Sequence, residues 1–414
     1  MPKRHKIAIA TVALLTAVAG CSSPKSGGVS SGTGRSKGGT ITVGLLTDLT
    51  GTGASGFKTS LQGVEAGVAW AARQGYHLKL DILDTQSAPT TALIAAQRMV
   101  LQDHVPAVIA VSAVTYGAAR FLSSHTVPVI GVALDADEWN TSPNMFAVTG
   151  TSHPELVSDL FGRLMKMEGG TDLGVVGLNL PPAAAGAEGV AVSARLAGLR
   201  VGYLNAAFPL GSTNVAPAVL AMKSAGVDSF TAITAPNTAL AFITTLRQEG
   251  VRLKFALLGD GYGGDLAQGG PGAAQAAQNA YFGLPLEPVE MHTSATDQFL
   301  SSLRQVGVRG DPTMAEYDGY VSVLLLGQAL RATGTDPTQS SLTTALSNIH
   351  DFSAGGLFGP ERLDVDNRTG VVFRPGAATL PVTFGPPQDL LLGQRGETQR
   401  VSHATLLDQQ QQER

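Results

Sequence analysis

The sequence contains little cysteine, few aromatic residues and little net charge. Its 414 residues include one cysteine and 6% aromatic residues, and 28 Lys and Arg against 32 Asp and Glu give a formal charge of −4. A single cysteine excludes an intrachain disulfide and a metal site built from several thiolates. Without a basic block, the chain also lacks the electrostatic footprint of a nucleic-acid-binding protein. Disulfide scaffolds, zinc ribbons, iron–sulfur proteins and nucleic-acid partners are therefore excluded.

The N-terminal 20 residues have the pattern of a secretory signal peptide. A basic start precedes an apolar run from Ile7 to Gly20, which is too short to span a bilayer comfortably. The run ends at Cys21, and Val18-Ala19-Gly20-Cys21 resembles the lipobox of bacterial lipoproteins, in which the cysteine is acylated and becomes the mature N-terminus. Residues 21–39 are rich in Gly and Ser and predict a flexible linker. We expect a lipid anchor on the extracytoplasmic face of the cell membrane; a buried structural Cys21 is the alternative.

From Ile41 onward, short apolar strands alternate with helical segments, which is typical of βαβ units and a mainly parallel sheet. A second cycle of the same pattern begins near Phe146. The strands predicted in the two cycles are 41–46, 78–84, 107–111 and 127–132, and then 172–178, 201–208, 229–234 and 254–258. Two such units in succession leave a cleft between them, and open α/β sheets bind ligands beyond the carboxyl ends of their strands. The pattern therefore predicts doubly wound α/β lobes with a ligand site in the cleft.

The order of these segments resembles the type 1 periplasmic binding proteins, and more closely the lipoprotein receptors of branched-chain amino-acid ABC importers. The likeness covers the chain from Ile41 to about Leu392 and depends on six short motifs in a fixed order. These motifs are 41–51, 61–67, 110–112, 127–130, 316–320 and 356–360.

The resemblance implies two lobes with parallel sheets, joined by a hinge that the chain crosses three times and that closes on the ligand. Lobe 1 would combine residues 40–149 with 282–350, and lobe 2 residues 150–281 with 351–395. Residues 396–414 form a polar tail.

The sequence contains no catalytic motif that we recognise. From Ile41 onward it has no G-x-S-x-G elbow, and the histidines of the chain are scattered without a partnered acid or metal-ligand spacing. Residues 51–56 match the dinucleotide fingerprint G-x-G-x-x-G, with Asp81 or Asp84 near the place of the ribose-binding acid. However, residues 47–50 separate the strand from the first glycine, whereas a pyrophosphate loop needs its glycines in the tight turn. We therefore expect neither an enzyme nor a cofactor, and keep a dinucleotide-binding enzyme as an alternative to a glycine-rich loop at the cleft mouth.

Candidate ligand contacts follow the predicted strands. Ser112, Ala113 and Thr115 would present a hydroxyl and free backbone N–H groups at the start of a helix, which is a natural carboxylate site. The resemblance places the ligand carboxylate there, and an ordinary helix cap is the alternative. Ala133 and Asp135 follow the next strand, where the family has its second contact loop. Asp135 would accept a hydrogen bond from an ammonium group or simply be solvated.

In lobe 2, Asp260 matches the position of the acid that pairs with the ligand's amino group in the family, although an Asp before Gly also forms turns. Phe57 is a candidate for an apolar wall, as are Tyr116, Trp139 and Tyr262, with ordinary packing as the alternative for each. Residues 181–186 lack the Tyr-Gly pair that the family usually carries after the first strand of lobe 2. Branched-chain specificity therefore cannot be carried over.

Together, these observations predict a monomeric, lipid-anchored solute-binding protein. It would capture an amino acid or a similar small polar ligand and present its closed form to an ABC permease. A ligand sensor or regulator that uses the same cleft without transport is the alternative from another functional class.

Overall fold

The computed structural model describes residues 39–133, 138–150, 156–157, 160–259, 261–278, 280–366 and 401–402. The predicted signal peptide, Cys21, Asp135, Asp260 and most of the polar tail lie outside these ranges, as does nearly all of the linker.

The first sheet consists of five parallel strands in the order β2-β1-β3-β4-β5. They are β1 (Thr40–Thr47), β2 (His77–Asp84), β3 (Val108–Val111), β4 (Val129–Gly131) and β5 (Met145–Ala147). The sequence pattern assigned Phe146 to the start of the second cycle, but β5 pairs in register with β4 and closes the first sheet. That prediction was wrong because a strand of three residues does not show which sheet it joins.

A short strand, β6 (Leu156–Val157), follows the first sheet and pairs antiparallel with β12 (Val401–Ser402). The second sheet has five parallel strands in the order β11-β10-β9-β7-β8. Its strands are β7 (Asp172–Leu178), β8 (Arg200–Phe208), β9 (Ser229–Ile233), β10 (Phe255–Leu258) and β11 (Tyr281–Phe282). The predicted α/β class with two parallel sheets is confirmed.

Helices return the chain between the parallel strands, which cannot be joined by tight hairpins. In the described residues they are α1 (Ala54–Phe57), α2 (Ser60–Arg73), α3 (Pro89–Leu101), α4 (Tyr116–Ser124), α5 (Glu138–Thr141), α6 (Leu160–Met167), α7 (Pro181–Leu196), α8 (Ala216–Ala225), α9 (Pro236–Gln248), α10 (Gly264–Gln268), α11 (Pro271–Ala276), α12 (Ser294–Gln305), α13 (Met314–Thr333) and α14 (Gln339–Ser347), with 3-10 helices at Val289–Met291 and Ala354–Gly356.

Helix α7 begins earlier than its sequence pattern predicted. The apolar spacing of the sequence predicts a helix over 189–199, but the structure starts α7 at Pro181. Proline is well accepted in the first turn of a helix, because the N–H group that it lacks would have no partner there. The segment that lacks the family's Tyr-Gly pair is therefore the first turn and a half of a helix.

Helix α13 organises the core beside the first sheet. Nearly all of its side chains are buried, and it packs against α2, β3 and β4. A capping box fixes its start: Glu316 N donates to Thr313 Oγ1 at 3.1 Å, and Thr313 N donates to Glu316 Oε2 at 2.9 Å. The helix that follows the second sheet in the chain thus packs on the first sheet.

Candidate functional site

A buried carboxylate lies where the first three strands of the first sheet end. Asp48 follows β1 directly, and its Oδ1 accepts hydrogen bonds from the hydroxyl groups of Thr85 and Ser112, the latter at 2.5 Å. Its Oδ2 accepts from Ala113 N at 3.3 Å. Asp48, Thr85 and Ser112 have no exposed surface. Burial raises the pKa of Asp48 above its usual value, against the opposing effect of the hydrogen bonds from Ser112, Thr85 and Ala113.

A second carboxylate, Asp84 at the end of β2, holds the loop that follows β1. Asp84 Oδ1 accepts from the backbone N–H groups of Leu49, Thr50 and Gln86 at 3.0, 3.2 and 2.8 Å. Asp84 Oδ2 accepts from Thr50 Oγ1 at 2.6 Å. Partial burial acts to raise the pKa of Asp84, but these hydrogen bonds outweigh it and hold the pKa below its usual value. Asp84, one of the two acids that the sequence offered as a ribose contact, therefore binds the protein's own backbone.

Two of the three glycines of the fingerprint-like stretch, Gly51 and Gly53, are required by contacts within the chain. Gly51 has φ +91°, and a Cβ there would lie 2.6 Å from the carbonyl carbon of Gln86. A Cβ on Gly53 would overlap Asp48 Oδ2 and lie 3.1 Å from Ser87 Oγ. A pyrophosphate approaching this loop would meet the Asp84 carboxylate, which already accepts from the N–H groups of Leu49 and Thr50. The geometry gives the dinucleotide alternative no support.

The structure brings three of the predicted site residues together in front of α4. Ser112 Oγ accepts from Val114 N at 3.1 Å, and Thr115 Oγ1 donates to the carbonyl of Ser112 at 3.2 Å. Ala113 and Thr115 are buried beside Ser112. Their role as ligand contacts remains a prediction.

The other candidates are placed as follows. Ala133 is half-buried and follows β4 by two residues. Phe57 ends α1, is half-buried, and its carbonyl accepts from Thr47 Oγ1 at 3.2 Å. Asp135 and Asp260 lie outside the described residues.

The aromatic candidates for an apolar wall have different surroundings. Trp139 is fully buried in a core cluster with Met99 and Met145. Tyr262 is buried; its hydroxyl donates to Glu290 and accepts from Val289 N at 3.2 Å. Tyr116 is exposed at the start of α4. The phenol of Tyr262 is thus held by the 3-10 helix Val289–Met291, which precedes α12.

The carboxyl ends of the two sheets face each other. Ser55, in α1 after β1, donates from Oγ to Asn237 Oδ1 at 3.1 Å, and Asn237 lies at the start of α9 after β9. Gly211, in the loop after β8, packs closely against Thr52. Both contacts join a segment that follows the first sheet's strands to one that follows the second sheet's strands.

A separate groove lies at the opposite, amino end of the first sheet. Its volume is about 590 Å³, and its lining residues come from the ends of α3 and α4 and the start of α14. These are Val100, Leu101, His104, Val105, Pro106, His125, Pro337, Thr338, Gln339 and Ser340. None of the predicted site residues contributes to it.

Sequence reasoning missed the two residues that complete the Ser112 cluster, Asp48 and Thr85. The signal that identified Ser112, a polar residue directly after a buried strand, also applies to Asp48. In the described part of the chain, no group of His, Cys, Asp or Glu side chains is arranged to hold a metal ion. The helices described here include none with the length and hydropathy needed to cross a membrane.

The chain thus combines two five-stranded parallel sheets with flanking helices, and segments that follow their strands contact each other. The chain belongs to the periplasmic binding protein family, whose model matches residues 40–375. This is a family of solute-binding proteins rather than enzymes, and membership implies an extracytoplasmic location. No curated protein matches the sequence significantly.

Solved structures share the fold at low sequence identity. A substrate-binding periplasmic protein from Ralstonia solanacearum matches with a TM-score of 0.69 and 20% identity, covering 79% of this chain and 94% of that one. The branched-chain amino acid transporter substrate-binding protein LivJ from Streptococcus pneumoniae, in complex with isoleucine, has a TM-score of 0.66, 20% identity, and coverage of 79% and 93%. An ABC transporter solute-binding protein from R. palustris, in complex with 4-hydroxybenzoate, has a TM-score of 0.64, 18% identity, and coverage of 76% and 86%.

Proposed function

We propose that this protein is the lipid-anchored receptor of an ABC importer, which binds an amino acid or a similar small polar ligand between its lobes as a monomer. The lobes would comprise residues 40–149 with 282–350, and 150–281 with 351–395. The proposal is supported most by the way the carboxyl ends of the two sheets face each other, linked by the Ser55–Asn237 hydrogen bond. Ligands of open α/β sheets bind at such ends.

Closure on the ligand would supply the signal to the permease. A ligand that contacts both lobes has a higher affinity for the closed form and shifts the population toward it. The contacts predicted from lobe 1 are Phe57, Ser112, Ala113, Thr115, Ala133 and Asp135. Asp260 is the proposed contact from lobe 2.

Replacement of Asp260 by alanine tests this site. A thermal-shift screen of the purified protein over a metabolite library should identify a ligand that raises its melting temperature. We expect Asp260→Ala to weaken that ligand about 10-fold to 100-fold, since a charge-assisted hydrogen bond contributes about 1.5–3 kcal/mol. The matched control is Glu249→Ala, which removes one negative charge from the far end of α9. Equal affinities of Asp260→Ala and wild type would contradict the assignment of Asp260.

Replacement of Cys21 by serine tests the anchor. Serine has no thiol to acylate, so we expect Cys21→Ser to move from the membrane fraction to the soluble fraction and to incorporate no labelled fatty acid. Ser22→Ala, at the next position, should remain in the membrane fraction. Membrane retention of Cys21→Ser would show that something other than this thiol attaches the protein.

A further inference from the structure

The hydrogen-bond donors at the start of α4 already have an acceptor. A hydroxyl and free N–H groups in front of a helix suit a carboxylate, and the carboxylate bound there belongs to Asp48. Its two oxygens accept hydrogen bonds from the hydroxyl groups of Ser112 and Thr85 and from the N–H of Ala113. The N–H of Val114, the next along the chain, donates to Ser112 Oγ at 3.1 Å. A ligand carboxylate at this place would therefore have to displace a side chain of the protein.

Gly53 covers this internal carboxylate. Its backbone lies so close to Asp48 Oδ2 that a Cβ would overlap the oxygen, and its N–H donates to Ser87 Oγ at 2.8 Å. Asp48 consequently has no exposed surface. The loop after β1 thus covers the Asp48 carboxylate and keeps it in contact with the donors in front of α4.

The sequence segments that directly follow the strands carry charge of one sign. The sequence segments that connect each strand of the two sheets to the next element contain no Lys or Arg. The acids in these segments are Asp48, Asp135, Asp137, Glu155, Asp260 and Glu287. Segments that contain acidic but no basic side chains disfavour an anion and favour a cation or a neutral donor.

We propose that Asp48 determines ligand specificity by filling the anion-binding donors in front of α4, so that the cleft binds a small amine-bearing ligand without a carboxylate. This inference depends on the proposed function, because it specifies the ligand class of the same cleft. It departs from the amino-acid arrangement implied by the family resemblance, in which the donors at Ser112 and Ala113 hold the ligand's carboxylate.

Matched pairs of compounds test the ligand class. We would measure dissociation constants of wild type for lysine and cadaverine, arginine and agmatine, and isoleucine and isoleucinamide. We expect at least one carboxylate-free member to bind at least about 10-fold more tightly than its acid, which corresponds to about 1.4 kcal/mol. An acid that binds as tightly as or more tightly than its partner would overturn the inference without affecting the proposed function. Failure of wild type to bind any of these compounds or any library metabolite would instead contradict the proposed function.

The variant Asp48→Ala tests the residue itself. Removal of its carboxylate frees Ser112 Oγ and Ala113 N, so we expect the preference for the carboxylate-free member of a pair to shift at least about 10-fold toward the acid. The control is Asp336→Ala, which loses an exposed acid next to Pro337, at the opposite end of the first sheet. An unchanged ratio in Asp48→Ala would overturn the proposal.

A chemical-rescue experiment decides the role of Asp48 even without a ligand. Asp48→Ala should unfold at a lower temperature than wild type, because buried donors lose their acceptor. Sodium formate supplies a carboxylate of the missing size, and we expect it to raise the melting temperature of Asp48→Ala by several degrees relative to sodium chloride. Wild type with formate, and Asp48→Ala with formamide, should show no such rise. An equal response of variant and wild type to formate would show that these donors are not an anion subsite.

Discussion

Replacing Trp139 by alanine is expected to lower the free energy of unfolding by about 3–5 kcal/mol, as removal of a fully buried tryptophan does in other cores. Trp139 lies in α5, has no exposed surface, and belongs to a cluster that contains Met99, Val108 and Met145. Its side chain fills the space beside β3 and β5, and alanine would leave a cavity there. Urea unfolding of the purified protein measures the change.

Leu220→Ala is the control for this experiment. Leu220 is 52% exposed on α8, so its truncation should change the free energy of unfolding by no more than about 0.5 kcal/mol. If Trp139 instead formed an apolar wall for the ligand, Trp139→Ala would reduce ligand affinity and cost little stability. Such a result would contradict the core assignment of this side chain.

The fold class and most strands follow from the sequence because the hydrophobic pattern of a buried parallel strand is strong. Residues 107–111 form a short apolar run, and β3 occupies 108–111 with all four residues buried. The pattern fails where an element is too short to have a period or where a local rule has an exception. The three residues of β5 are the first case, and the two prolines that open α7 are the second.

The position of the Ser112 cluster is predictable, but its chemistry is not. Strand ends in a parallel sheet meet at one edge, so Ser112 was expected there. That Asp48 lies between Thr85 and Ser112, which are 37 and 64 residues away in the sequence, depends on the strand order β2-β1-β3. Strand order is set by the packing of the whole sheet, so no local sequence pattern predicts it. The sequence therefore shows a set of donors without showing that the chain supplies its own acceptor.

Replacing both Gly63 and Gly319 by alanine is expected to destabilise the protein by about 3–4 kcal/mol, because α2 and α13 are in backbone contact at these two positions. A Cβ on Gly63 would overlap the carbonyl oxygen of Glu316 and lie 2.7 Å from its carbonyl carbon. A Cβ on Gly319 would overlap the carbonyl oxygen of Ser60 and lie 2.8 Å from Val64 N. Overpacking of a close interface costs about 1–3 kcal/mol for each site, and a backbone cannot move aside as a flexible side chain does.

The two glycines oppose each other across one helix pair, so their effects should not be additive. Once α2 and α13 have separated to admit one methyl group, the second enters at a smaller cost. We therefore expect the loss in the double variant to be smaller than the sum of the losses in Gly63→Ala and Gly319→Ala. Gly189→Ala is the matched control: its Cβ would meet no atom within 4 Å, and the exchange should stabilise α7 by up to about 1 kcal/mol. Unfolding curves for Gly63→Ala and Gly189→Ala that shift in the same direction would show that α2 and α13 tolerate wider spacing than this contact implies.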